Sequence, residues 1–577
     1  MAVSADETKI IKDGVPWSTQ VEMEFALEAL HANKGRWAQL GIPERIQILD
    51  ELRISFERVM EQWVEYSHVA KGLSEDVPGG GEDWAFASIV FRMLAALKQS
   101  LKDIKQHGRP LIPGSLYTRD DGRVVAEVFP RGLKDQLLYA KLNGEVWFNP
   151  GVTEQEVLNQ QARHYRTPSA NGRVALVLGA GNVSMLVPGD FLYKLFVENS
   201  VVALKMNPVN EYLGPLLAQG FAPLTSRGFL RILYGGVDEA SFLIHHDMVE
   251  DLHMTGSDKT YEAIVFGTGE AGKQRKRDRT PLVTKPFTAE LGNITPIIVV
   301  PGPWTDDDVT YQGQNIAAQL VINAGFNCLT PRVIVQHAEW QHRDTLNNAI
   351  NATLERTPTR CAYYPGAGER FDQFAAHHPD ASQHGARTET NLPWMYIPDV
   401  ASDADDIAYT TEAFASVMAE TALSAASVPD YIDKAVQFVN ERLWGTLTAS
   451  LIVHPQSMRD PQVEAAVRRA IADLRYGAVC INTSGAIAYI TLTTSWGGYS
   501  GHDKFDIQSG TGVVNNMLMF DDSQIQKSVI WNTFRSPFNG QDPADASSNT
   551  FSKKLAQFEA DPGVGTTVSL VRALISG

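Results

Sequence analysis

Between Gly172 and Ser257 the chain repeats one pattern several times: a short apolar run, a turn, then a helical run. GRVALVLG reads as a buried strand and DFLYKLFVEN as a helix; SVVALKM is a strand and YLGPLLAQGFAPL a helix. FLRILYGG, DEASFLIHH and EDLHMTGS continue the series. Strands that alternate with helices build βαβ units, and so a parallel sheet covered on both faces. Ligands of such sheets bind beyond the carboxyl ends of the strands. The residues just after each strand are therefore the ones to inspect.

The flanks differ. From Glu22 to about Gln106, apolar residues recur at three- and four-residue intervals, predicting helices with a GGGED loop near Gly79. From Gly108 to Pro150, Gly, Pro and β-formers predict strands and connecting arms. A second α/β stretch runs from about Ala289 to Gly512, followed by QKSVIWNTF as a further strand and a tail partly rich in Ser, Asn and Asp. The expected division is an N-terminal helical part (1–107), arm strands (108–170), a first α/β domain (171–288), a second (289–513), and a C-terminal strand and tail (514–577).

Charge and cysteine content exclude several classes of function. The formal net charge is −17, which disfavours nucleic acid and anionic membranes. The three cysteines, Cys328, Cys361 and Cys480, are far apart, so neither a thiolate zinc site nor a disulfide framework is expected. The histidines show no HExxH-type pattern, and no metal is expected. MAVSADETKIIKDG has no apolar signal core, and no run of about 18 apolar residues is present; the expectation is a cytoplasmic enzyme with reduced thiols.

Two motifs mislead. Gly179-Ala-Gly181 follows a strand, but Ser184 stands where the third glycine of GxGxxG belongs, and Pro188-Gly189 should interrupt the following helix. Gly267-Thr-Gly-Glu-Ala-Gly272-Lys273 nearly spells a phosphate-binding loop, but Gln274 replaces the magnesium-binding hydroxyl, and a charged run follows. A solvated loop is the better reading.

Three segments carry chemistry together. NAGFNC places Cys328 after a glycine turn and before an apolar run; TAELGNITP places Glu290 before a glycine turn; GAGN places the Asn182 amide after a strand. Singly, each reads as a buried thiol, a surface carboxylate and a turn residue. In order, and joined by VVALKMNP, HMTGS, TEAFASV and SWGGYSG, they resemble the aldehyde dehydrogenase superfamily, with Phe326 in place of a Gln beside the nucleophile. The resemblance implies a Rossmann-type cofactor domain, an α/β catalytic domain and β oligomerisation arms. It implies Cys328 as nucleophile, Glu290 as general base, and Asn182 with the Cys328 backbone N–H as oxyanion donors. It implies Lys205, Asn207, Gly256, Ser257, Glu412 and Phe414 as contacts to NAD or NADP. An aldehyde is the expected substrate, and a homodimer or homotetramer the expected assembly. Pro331 and Arg332 follow Cys328 one position early, as in CoA-dependent fatty acyl reductases. Acyl transfer to CoA is thus the alternative reaction, and a catalytically silent binding protein the alternative class. Cys361 and Cys480 are expected to be packing residues.

Overall fold

The computed structural model describes residues 10–11, 13–139, 141–167, 171–536 and 542–576; the MAVSADETK stretch lies outside them. Four helices open the chain: α1 (Gln20–Ala38), α2 (Ile42–Glu57), α3 (Met60–Lys71) and α4 (Glu82–His107). Thr19 caps α1 in a capping box with Glu22, and α3 and α4 each stop at a glycine in the left-handed conformation, Gly72 and Gly108.

The alternating stretch forms β4 (Val174–Leu178), β5 (Val201–Lys205), β6 (Leu230–Leu233), β7 (Asp251–Thr255) and β8 (Phe287–Glu290). With β18 (Gly510–Thr511) they make a six-stranded sheet in the order β18-β8-β7-β4-β5-β6, parallel except at β18. The helix α5 (Leu186–Phe196) follows β4 and is buried along its whole length.

Pro188 and Gly189 lie inside α5 and do not break it. Proline is tolerated in a first turn, where its missing N–H has no partner to lose. A Cβ on Gly189 would fall 2.8 Å from the Tyr489 hydroxyl, so the glycine allows that close approach. The Tyr212–Leu224 segment, expected as one helix, is divided into three short turns at Gly214 and Phe221. α6 (Val237–His245) joins β6 to β7, and α7 (Asp258–Phe266) and α8 (Gly269–Arg277) follow β7. The misleading Gly267–Lys273 motif spans the α7–α8 turn, where Lys273 pairs with Glu270 in solvent.

The second sheet has eleven strands. Its centre is parallel: β17 (Ala478–Ile481), β16 (Thr448–Ile452), β9 (Thr295–Val299), β10 (Pro331–His337) and β15 (Val417–Leu423). The arm strands β1 (Leu116–Thr118), β2 (Val124–Phe129) and β3 (Asn143–Phe148) join it through β19 (Ile525–Trp531). β19 lies between β3 and β17, so both its edges are hydrogen-bonded within this chain. The tail, to which the sequence assigned no elements beyond QKSVIWNTF, carries helices at Ser547–Ala560 and Val564–Ser576. The first packs against α4, where Arg92 pairs with Glu559.

Candidate active site

Cys328, Glu290 and Asn182 come from three loops at the carboxyl ends of strands or helices, and the structure brings them together. Glu290 ends β8 and is buried. The Cys328 thiol and the Trp496 indole N–H face its carboxylate, and its buried Oε1 has no hydrogen-bond partner among the described residues. Burial pushes the Glu290 carboxyl up to about 8, and the charges of Asp190 and Glu412 add to the rise. Burial, then the charge of Glu290, raises the Cys328 thiol well above its ordinary value. The resting pair is therefore neutral near pH 7: a thiol beside a carboxylic acid.

The turn before Cys328 is unusual. Asn323, Ala324 and Gly325 all have positive φ (53°, 55° and 81°), a conformation only glycine adopts freely. Several contacts hold it. Asn323 Nδ2 donates to the Asn182 carbonyl at 3.0 Å, and the Tyr363 hydroxyl donates to that same carbonyl at 2.7 Å. The buried Arg332 guanidinium donates to the carbonyls of Gly325 (2.7 Å), Ala415 (2.6 Å) and Val417 (3.1 Å). Asn182 Nδ2 donates to the Phe326 carbonyl at 2.9 Å, which uses one amide hydrogen and leaves the second for a ligand. Sequence reading missed Arg332 and Tyr363. Neither lies in a recognisable motif, and a buried Arg in β10 shows its purpose only once the facing carbonyls are known.

Glu412 and Phe414 adjoin this centre. Glu412 Oε1 accepts the Asn293 N–H at 3.2 Å; burial pushes its carboxyl up to about 7 against the opposing pull of Arg332. A Cβ on Gly292 would lie 2.0 Å from Glu412 Oε2, so a side chain there would displace the Glu412 carboxylate. Phe414 packs on Tyr364 (centroids 4.9 Å apart) and Phe326 (5.9 Å), so Phe326 joins an aromatic cluster.

The remaining predicted residues form two other groups. Lys205, at the end of β5, is buried; burial lowers its ammonium, while the carboxylates of Glu211 and Glu239 oppose that. Glu211 is a third residue the sequence reading passed over. Its Oε1 accepts the Val15 N–H at 3.2 Å, and its buried Oε2 has no partner. Asn207 Oδ1 accepts the Val209 N–H at 3.0 Å and shapes the turn. At the end of β7, the Gly256 N–H donates to the Glu290 carbonyl (3.0 Å), and Ser257 caps α7 by accepting the Thr260 N–H (3.1 Å). The Asp258 carboxylate takes its own N–H and that of Lys259.

No family model matches this sequence. One stretch of 162 residues, 28% of the chain, is 26% identical to the aldehyde dehydrogenase LUC3 of Fusarium sp., and it spans only 32% of that relative. Solved structures match over nearly the whole length. Aldehyde dehydrogenase 21 of Physcomitrella patens, in complex with the product succinate, is similar at a TM-score of 0.59 and 15% identity, with 89% of this chain and 91% of that one covered. The chain has the aldehyde dehydrogenase fold. Glyceraldehyde-3-phosphate dehydrogenase GapN of Methanocaldococcus jannaschii, complexed with NADP, matches at 0.60 and 14% identity, covering 90% and 95%. Salicylaldehyde dehydrogenase of Pseudomonas putida G7, complexed with salicylaldehyde, matches at 0.56 and 15% identity, covering 90% and 92%. The large α/β sheets expected from the alternating pattern are those of this fold. Among the described residues, no helix is long and apolar enough to cross a membrane.

Proposed function

We propose that this protein is an NAD(P)-dependent aldehyde dehydrogenase that forms a thiohemiacetal and then a thioester on Cys328. The observation that carries the reading is a buried, unpartnered Glu290 carboxyl facing the Cys328 thiol, beside an Asn182 amide with a hydrogen to spare. Glu290 takes the thiol proton as sulfur attacks the aldehyde carbon. The oxygen that becomes negative is received by the Asn182 amide and the Cys328 backbone N–H; losing one such donor typically costs about 10²–10³ in rate. NAD(P) supplies the hydride acceptor when bound. Glu290 releases the thiol proton to solvent and then deprotonates the water that hydrolyses the thioester; the acid leaves, and the proton taken from water passes to the departing sulfur to restore the thiol.

The residues fit the cofactor at its ribose end. Lys205, the orphaned Glu211 Oε2 and Glu239 offer a donor and acceptors for vicinal hydroxyls. Two carboxylates there also oppose a 2′-phosphate, which favours NAD over NADP. At the α7 end, Asp258 competes for the N–H groups that would face a diphosphate and must turn aside. Glu412 and Phe414 lie close enough to the catalytic pair to meet the nicotinamide half.

One observation favours a second reading. Only Leu329 and Thr330 separate Cys328 from β10, the short connection shared with acyl-CoA reductases. Incubation with an aldehyde panel, NAD or NADP, with and without CoA, tests both. Reduced cofactor formed without CoA supports hydrolysis, and formation only with CoA supports acyl transfer. Formation in neither case supports a silent binding protein.

We also propose a homodimer or homotetramer with contacts on the β1 side of the arms, because among the described residues β1 is one of the two edges of the eleven-stranded sheet and the one that the arms form. A stable monomer in sedimentation at micromolar concentration refutes this. Three unpaired thiols support a cytoplasmic location.

A further inference from the structure

The GGGED stretch, residues 79–83, reads in the sequence as a loop between two helices. In the fold its two acidic residues open α4 and turn toward the loops that carry Asn182 and Cys328. A tight turn delivers them. A Cβ on Gly80 would lie 2.1 Å from the Ser74 carbonyl. The Gly81 N–H donates to Asn549 Oδ1 (2.9 Å), and Asn549 Nδ2 donates to the carbonyls of Glu75 (2.7 Å) and Val77 (2.8 Å). The helix Ser547–Ala560 thus fixes the backbone one residue before Glu82. On the other side, Lys71 Nζ donates to both Asp83 oxygens at 2.9 Å, and the Ser184 hydroxyl donates to Oδ1 at 3.4 Å.

Glu82 reaches the turn before Cys328. The helix Asp306–Val321 ends there, and Ile322 leaves helical geometry with ψ at 127°. With the helix broken, the buried Asn323 N–H donates to Glu82 Oε2 at 2.9 Å; a buried N–H left unpaired would cost about as much as a lost hydrogen bond. Glu82 Oε1 accepts from Arg360 Nη1 at 2.7 Å, and both side chains are largely buried. Asn323 is the first of the three residues with positive φ that lead to Cys328. Backbone of this kind persists only where its surroundings over-determine it. Arg332 and Tyr363 grip the turn as donors, at Gly325 O and Asn323 Oδ1. Glu82 grips it as an acceptor.

We infer that Glu82 is a positioning residue: by holding the Asn323 N–H it fixes the turn that sets the Cys328 backbone N–H against the Asn182 amide. This rests on the roles proposed for Cys328 and Asn182 as the two oxyanion donors. Glu82 exchanges no proton and forms no covalent bond. Its effect is geometric, because a donor displaced from the developing oxyanion no longer stabilises it. Through Asp83 and Ser184 the same helix start also touches the Asn182 loop, so one turn of α4 spaces both donors.

The test compares Glu82→Ala, Glu82→Gln and Arg360→Met. Alanine removes the acceptor. Glutamine keeps an amide oxygen at the same reach for the Asn323 N–H but gives up the charge that pairs with Arg360. Arg360→Met removes the ion pair alone. The first readout, hydrogen exchange followed by mass, needs neither aldehyde nor cofactor. The peptide spanning Asn323–Leu329 should exchange on the order of tenfold faster in Glu82→Ala, and near the wild-type rate in the other two. The second readout is steady aldehyde oxidation. Both halves of the reaction pass through an oxyanion, and a misplaced donor acts in the transition state only. In Glu82→Ala kcat should therefore fall about 30-fold while KM stays within about threefold. Glu82→Gln and Arg360→Met should keep kcat within about threefold, while Tm drops in Arg360→Met. A brace that acts only through the ion pair predicts instead that all three variants are equally slow. That result overturns the inference, as does unchanged exchange or unchanged kcat in Glu82→Ala. If Glu82→Ala does not fold, Glu82→Asp, which withdraws the carboxylate by one methylene, takes its place. Wild-type protein that oxidises no aldehyde, with exchange still faster in Glu82→Ala, overturns the proposed function and leaves the hold of Glu82 on the turn standing.

Discussion

Replacing Glu290 by glutamine should separate the two halves of the reaction. The carboxyl is pushed up to about 8 because burial removes its solvation and Asp190 and Glu412 repel a second charge, against the opposing pull of the Cys328 thiol and Trp496 indole that face it. Only the ionised form can take a proton from water. With a value near 8, roughly one tenth is ionised at pH 7 and one hundredth at pH 6. When deacylation limits, wild-type steady turnover should therefore rise about tenfold per pH unit up to about pH 8 and then level. Glutamine cannot titrate, so in Glu290→Gln the limb should vanish and the steady rate should fall by about 10²–10⁴. Acylation needs one proton transfer from a thiol, a far better nucleophile than water, and should suffer less. Stopped-flow absorbance should then show a burst of one NAD(P)H per site that stalls, with an acyl adduct on Cys328 in the intact mass. Unchanged steady turnover, or a variant that keeps the wild-type limb, removes Glu290 from the mechanism. Turnover restored by CoA alone moves the assignment to acyl transfer.

Cys328→Ala should abolish aldehyde oxidation while cofactor affinity, measured by quenching of protein fluorescence, stays within about twofold; retained turnover would require another nucleophile. Glu211→Ser should raise the ratio of NADP to NAD use on the order of tenfold, because a carboxylate near a 2′-phosphate is repulsive; an unchanged ratio of kcat/KM values would place the 2′-position elsewhere. Asp258→Asn should tighten cofactor binding about two- to fivefold, by relieving a like charge at the start of α7; isothermal titration showing weaker binding would mean that Asp258 is itself a ligand.

Much of the fold was legible because burial writes a period into the sequence. GRVALVLG and SVVALKM are strands covered on both faces, and such strands must be apolar throughout. Cys328, Glu290 and Asn182 were legible because each sits at a turn after an apolar run, and their order carried the resemblance. Other features depended on partners distant in the chain. Pro188-Gly189 looked like a helix stop because the sequence does not show that Tyr489 comes to rest on that glycine. The helices of the tail were not legible because the first forms against α4, where Asn549 bonds the Gly81 N–H and the Glu75 carbonyl; tertiary packing supplied what local propensity lacked.

EDLHMTGS shows where pattern reading stops. The apolar residues Leu252 and Met254 identify a buried strand, and the polar ones between them read as a solvent face. They are buried as deeply as the apolar ones. A half-exposed strand and a strand with a buried polar ladder have the same alternation, and only the covering helix distinguishes them. Here α5 carries Asp190 and Lys194 at a four-residue spacing that matches His253 and Asp251 across the gap. Burying this many ionisable groups costs stability even when they are paired, and an apolar face would pack at least as well. Lys194 bonds Asp251 at 3.2 Å, and Asp190 accepts the Thr255 hydroxyl at 3.0 Å. The polar alternation of β7, a feature with no motif of its own, therefore joins α5 to the sheet, and nothing local to EDLHMTGS could show it.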